Sequence, residues 1–276
     1  MFASIFQPGI EVQSLHSEIL QQDFELYIKL PWSYRRSEAS YPVLFTLDAN
    51  RAFSLYSTMS LIYETPGAAA EEIIIAGIGY RVGEDRMIGL AQWAAWRTRD
   101  FTPVRDEETE QFWKKRLSAI IGSEYHDVQS GGAAHFLTSL REEIIPFVEK
   151  NYRVSADRGL AGYSYGGLFT LYALFHAPEL FKRCFAGSPT IWEQLFEYEE
   201  QYASVHDDLV AKVFITEGGE ESDLHGPIQR MVDRLGSRGY PGLELQIDVF
   251  EGEGHSSAYA AAVSRALRVL YKYTAD

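Results

Sequence analysis

The sequence predicts an α/β fold: a mostly parallel eight-stranded sheet, its first two strands antiparallel, with helices on both faces. Three observations point there. Short apolar runs alternate with helix-like stretches along most of the chain. Several of those runs are apolar on both faces, as strands in the middle of a parallel sheet must be. And a serine stands among glycines, Gly162-Tyr163-Ser164-Tyr165-Gly166-Gly167, with a strand-like run before it and a helix-like run after it.

The elements follow in order. Val12 to Leu20 and Phe24 to Leu30 read as two strands, and Gln21-Gln22-Asp23 is short enough to join them as a hairpin. The second alternates, with Phe24, Leu26, Ile28 and Leu30 on one face. Pro42 opens the strand Val43 to Leu47, which meets Asp48-Ala49-Asn50. A helix over Phe53 to Tyr63 and a strand over Ile73 to Gly79 continue the βα rhythm. Residues 80 to 130 break it. Within them, Phe112, Trp113, Leu117, Ile120 and Ile121 have helix-like spacing, and a long excursion in a compact α/β pattern is more often functional than structureless. The expectation is a small cap or lid insertion at about 104–130. A helix over Ala134 to Tyr152 follows, with Pro146 placed to kink it. Then come the strand Asp157 to Ala161, the helix Leu168 to His176, and strands at Arg183 to Ala186 and Ala211 to Thr216. A helix over Pro227 to Arg238, the strand Leu243 to Phe250 and a helix over Ser257 to Tyr273 complete the chain. No repeat or linker divides it, so residues 1–276 read as one domain.

Composition narrows the function classes. Hydrophobic residues at 46% and charged residues at 23% are ordinary for a soluble globular enzyme. A net charge of −14 argues against nucleic-acid and anionic-membrane partners. The single Cys184 cannot form an intramolecular disulfide and lies in an apolar run, as a buried strand thiol would. No basic segment followed by an apolar one marks a signal peptide, and no apolar run would span a bilayer. The expectation is a cytoplasmic enzyme acting on a small molecule. No His/Cys/Asp grouping has metal-ligand spacing, so no metal or other cofactor is expected.

The glycine-flanked serine is a G-x-S-x-G elbow in the context that gives it meaning: strand, sharp turn, helix. A Cβ at 162 or 166 would crowd the turn. The turn exposes Ser164 Oγ at a helix N-terminus, where the Tyr165 N–H faces a developing oxyanion. Strands alternating with helices around such an elbow form the α/β-hydrolase arrangement, which orders its triad as serine, acid, histidine. Of 7 histidines, only His255 sits in a glycine-hinged loop directly after the last strand, the place for the general base. The acid belongs after the strand Ala211 to Thr216. Glu217, Glu220, Glu221 and Asp223 all qualify by position. Glu221 is favoured because a tight turn at Gly218 would aim it back at the sheet edge, and a Ser-His dyad without an acid stays open. The second oxyanion donor is expected from the N–H of Asn50 or its neighbour.

On these residues the chain resembles the putative-esterase branch of the α/β hydrolases, and within it the enterobactin/salmochelin siderophore-esterase-like subgroup. The resemblance is carried by Leu47-Asp48-Ala49-Asn50, Arg97-Thr98-Arg99-Asp100-Phe101-Thr102-Pro103, Gly131 to Phe136, the elbow, Ser188-Pro189-Thr190-Ile191-Trp192 and Gly254-His255. It implies Ser164 as nucleophile and His255 as base. Two departures stand out: Asp48-Ala49 where relatives often have Asp-Gly, and Glu221 where most hydrolases place Asp. The resemblance also suggests Arg97 and Arg99 as a clamp for an anionic ferric-catecholate, against a structural pairing with Asp100 or another carboxylate. Trp93, Trp96, Trp113 and Trp192 suit an aryl group, with Trp192 taken as substrate-binding. The expected activity is that of a serine carboxylesterase on an ester or lactone, a siderophore trilactone among the candidates. An acyltransferase using the same nucleophile is the alternative. A non-catalytic binding protein on this fold is disfavoured by the intact Ser164 and His255.

Overall fold

In a computed structural model, which describes residues 9–64 and 69–273, eight strands form one sheet. They are β1 (Ile10–Ser17), β2 (Gln22–Lys29), β3 (Tyr41–Thr46), β4 (Ile74–Tyr80), β5 (Val154–Tyr163), β6 (Arg183–Gly187), β7 (Ala211–Gly218) and β8 (Leu243–Phe250). Their spatial order is β1-β2-β4-β3-β5-β6-β7-β8. β2 is antiparallel to both β1 and β4, and all other neighbours are parallel. The expected α/β-hydrolase fold is therefore present. The alternation read in β2 is real: Phe24, Leu26 and Ile28 are fully buried. Cys184 is buried in β6, and burial pushes its thiol up to about 12, so it stays a protonated packing group.

Helices α1 (Ala49–Tyr63) and α9 (Ala258–Leu270) cover one face, packing Phe53, Tyr56, Val263 and Leu267 against β3, β5 and β7. The other face carries α2 (Arg86–Phe101), α3 (Glu107–Ile121), α4 (Ala133–Ser139), α5 (Ile145–Asn151), α6 (Tyr165–His176), α7 (Glu193–Ala203) and α8 (Ser222–Arg238). Two of these helices were not predicted. α2 begins at Asp85, whose carboxylate accepts the Met87 and Ile88 N–H groups at 2.9 Å each, and it buries Ala91, Trp93, Ala94 and Phe101. α7 hides a charge in its buried face: Glu199 is fully buried, and Arg234 and Arg238 of α8 bind it at 3.1 and 2.8 Å.

The single helix expected over Ala134 to Tyr152 is broken. Leu140–Ile144 between α4 and α5 forms a π-turn. Pro146 has no N–H to give the carbonyl of Glu142, and the Ile145 N–H reaches back five residues to Leu140 O. The turn points Glu143 at the β1–β2 connection. Its carboxylate accepts from Ser139 Oγ at 2.8 Å, from the Glu18 and Ile19 N–H groups at 2.8 and 3.1 Å, and from Ser17 Oγ.

Candidate active site

The carboxyl ends of β3 and of β5 to β8 converge on one edge of the sheet. β5 stops at Tyr163, and Ser164 takes φ 60°, ψ −119° before α6 begins. That left-handed conformation is costly for a serine and is held by its surroundings. The Ser164 N–H donates to Gly187 O at 2.8 Å. A Cβ on Gly162 would lie 2.2 Å from the Gly166 carbonyl carbon and oxygen, so strand and helix meet this closely only with glycine there.

The loop after β7 settles which carboxylate meets the histidine. The Glu221 N–H bonds Gly218 O at 3.1 Å, closing a tight turn. Glu221 Oε1 then contacts His255 Nδ1, while its Oε2 accepts the Gly218 N–H at 2.5 Å and Ser188 Oγ at 2.7 Å. Glu217 pairs instead with His225 at 2.6 Å, and Glu220 and Asp223 are exposed. With Nδ1 engaged, Nε2 is the ring nitrogen of His255 left for proton transfer. The hydroxyl of Tyr163, the residue before Ser164, donates to the His255 carbonyl at 2.8 Å. Burial pushes that phenol up to about 12, against the Ser188 hydrogen bond and with the Glu221 charge, so it remains a donor.

Tyr165 and Asn50 each lie at a helix start. Tyr165 is the first residue of α6, and Asn50 is the second of α1, behind Asp48 at φ 57°. N–H groups of a first helical turn lack intrahelical acceptors. In α1, those of Arg51 and Ala52 return to Asp48 O at 2.9 and 3.0 Å. The Asn50 side chain is committed elsewhere: its Nδ2 donates to Tyr80 O and its Oδ1 accepts the Tyr80 N–H, both at 2.8 Å.

The two arginines expected to clamp substrate are both paired with carboxylates. Arg97 is 6% exposed and binds Asp48 through two parallel bonds, Nε to Oδ1 at 2.8 Å and Nη2 to Oδ2 at 2.9 Å. Its guanidinium also lies 5.0 Å from the Trp93 ring, 5.5 Å from Phe101 and 5.4 Å from Tyr165. Burial alone would lower its pKa; the adjacent Asp48 charge and hydrogen bonds raise it above the usual arginine value. Arg97 therefore ties the β3 loop to the elbow and does not face the opening as a surface clamp. Arg99 donates to Asp100 at 2.6 and 3.1 Å, and Tyr80 adds a bond to the same carboxylate at 2.9 Å. Arg51, missed in the sequence, is exposed over the Trp93 ring at 5.0 Å and has no carboxylate partner among the described residues. Its place three residues after Asp48, in the first turn of α1, was the available signal. Trp192 stands edge-on to Tyr165 at 6.5 Å. Trp113 of α3 does so at 6.4 Å, and its Nε1–H points at the Tyr165 hydroxyl at 3.4 Å. Among the described residues, no group of three or more His, Cys, Asp or Glu is arranged to hold a metal ion.

Comparison with known proteins shows what the chain is similar to. The family described as "Putative esterase" matches residues 122–231. The chain is 29% identical over 276 residues to ferri-bacillibactin esterase BesA of Bacillus subtilis, covering 95% of this chain and 89% of that one. It is 28% identical over 261 residues to the siderophore triacetylfusarinine C esterase of Aspergillus fumigatus, covering 84% and 82%. Its fold superposes on the crystal structure of the BES protein from Bacillus cereus with a TM-score of 0.79 at 25% identity, over 99% and 98% of the two chains.

Proposed function

From the premise that this chain is an α/β hydrolase related to the putative-esterase branch and acting on ester bonds, we propose that it is a serine carboxylesterase working through Ser164, His255 and Glu221. The observation that carries the reading is the Glu221 carboxylate seated on His255 Nδ1, in loops that follow β7 and β8, beside a serine held at the elbow after β5. Ser164 Oγ attacks the ester carbonyl while His255 Nε2 takes its proton. Glu221 fixes the imidazole tautomer and stabilises the imidazolium. The N–H groups of Tyr165 and Asn50 bind the tetrahedral oxyanion. The imidazolium returns its proton to the departing alkoxide, leaving an acyl-serine, and water repeats the sequence to release the acid.

The substrate is proposed to be a siderophore-type lactone or ester, as the names of the relatives suggest. Trp113, Tyr165 and Trp192 form an aromatic wall beside the nucleophile, which suits an aryl acyl group. On this reading residues 104–130, which carry α3, act as the cap that supplies Trp113. With both predicted clamp arginines paired, Arg51 is the exposed cation near the oxyanion loop that would meet an anionic substrate group.

The test is product analysis by mass spectrometry with a cyclic tricatechol trilactone, iron-free and ferric, against a Ser164→Ala control. Linear products that vanish in the control are expected; activity surviving in the control would end the proposal. A fluorophosphonate should label Ser164. Glu221→Gln should lower kcat roughly 10³- to 10⁴-fold, the scale of loss when a triad acid is removed. A near-normal rate would leave a Ser-His dyad.

A further inference from the structure

Ser188 follows β6 directly, is fully buried, and holds φ 36°. A buried side-chain-bearing residue in that conformation persists only where its surroundings demand it, and glycine would hold the same backbone without strain. Its hydroxyl lies 2.7 Å from Glu221 Oε2 and 2.8 Å from Tyr163 Oη. The hydroxyl has one proton and two acceptors in reach. A carboxylate holds such a proton more strongly than a phenol oxygen, so Glu221 receives it. Tyr163 in turn spends its own proton on the His255 carbonyl. The Ser188 N–H donates to Thr216 O of β7 at 2.7 Å, so its backbone is fixed to the strand that launches the acid loop.

We propose that Ser188 is a positioning residue for the acid: its hydroxyl, with the Gly218 N–H, occupies Glu221 Oε2 so that Oε1 alone is turned to His255. Tyr163 completes the arrangement by holding the backbone of the base from the residue next to the nucleophile. The inference rests on the esterase reading above. Without the hydroxyl, Glu221 loses one of the two bonds that orient it. Substrate affinity is untouched, because Ser188 is buried beneath the site.

The deciding variant is Ser188→Gly, which removes the hydroxyl and relieves the backbone together. Its melting temperature is expected to equal or exceed that of the parent. Its kcat on a neutral aryl ester should fall between about tenfold and a hundredfold, the worth of one hydrogen bond to a charged group, with KM unchanged. In a Glu221→Gln background the same substitution should have no further effect, since the group it serves is already gone. Ser188→Ala, with the rate of Ser164 phosphonylation as readout, gives the loss of the hydroxyl without the backbone relief. A Gly variant with kcat within about twofold of the parent overturns the proposal, as does equal loss with and without Glu221. So does a melting temperature that falls in both variants with kcat held, since the hydroxyl would then serve the fold alone. A parent protein that neither cleaves the ester nor is labelled at Ser164 removes the underlying reading and this proposal with it. That outcome is read on the parent alone and is distinct from failure of the variants.

Discussion

Arg97 and Arg51 look alike in the sequence and do opposite things in the structure. Each lies 5.0 Å from the Trp93 ring, yet one is buried on Asp48 and the other is exposed without a carboxylate among the described residues. Removing one partner of a buried pair strands the other charge. Arg97→Met should therefore cost about 3–5 kcal/mol, seen as a lower denaturation midpoint. Arg51→Ala should leave that midpoint in place and raise KM for anionic esters only, measured beside a neutral ester of the same alcohol. Equal KM changes on both esters would remove Arg51 from substrate recognition. The positions that could be placed in advance, at the elbow after β5 and in the loop after β8, were those marked by local sequence. Ser164 is defined by the glycines around it, and His255 by the strand end before it. For Arg97 a pairing with a carboxylate was open, but not which one, because its partner lies 49 positions away and only the sheet brings Asp48 to it.

The same distinction holds for helices and strands. β2, β5 and β8 announce themselves through apolar pattern. α2 and α7 do not, because their inward faces carry charge: Arg97 and Asp100 in one, Glu199 in the other. Such faces are stable only with partners from distant segments. The π-turn between α4 and α5 is intermediate. Pro146 predicted a disturbance, while the form it takes depends on Glu143 reaching the turn after β1. This link has a pH signature. Desolvation would raise the Glu143 pKa, but the Ser17 and Ser139 hydroxyls and the N–H groups of Ile19 and Glu18 outweigh it, so the folded-state value is depressed. Its contribution to stability is complete above the unfolded carboxyl value of about 4.3 and is lost as pH falls through the lower folded value. Glu143→Gln should thus be less stable than the parent at neutral pH, and the difference should shrink on acidification. Urea midpoints at a series of pH values would show it; a gap independent of pH would contradict it.

For the molecule as a whole, the net charge of −14 acts at longer range than any single arginine. It repels anionic substrates before contact, and salt screens that repulsion as the Debye length shrinks from about 30 Å at 0.01 M to about 10 Å at 0.1 M. The kcat/KM for an anionic ester should rise over that interval, while that for a neutral one stays flat. A falling value for the anionic ester would show that attraction at the mouth governs encounter instead.

Ser164, Ser188, Glu221 and His255 follow β5, β6, β7 and β8, four strands consecutive in both sequence and space. α2 and α3, with Trp93 and Trp113, lie earlier, between β4 and β5, whereas Tyr165 and Trp192 follow β5 and β6. Exchanging the segment between β4 and β5 as a block, subject to the Arg97–Asp48 seam, would change only the α3 side of the aromatic wall and leave these four loop residues in place. Chimaeras crossed at the ends of β4 and β5 should differ from their parents in the preference that Trp113 contributes, while both remain labelled at Ser164 by a fluorophosphonate.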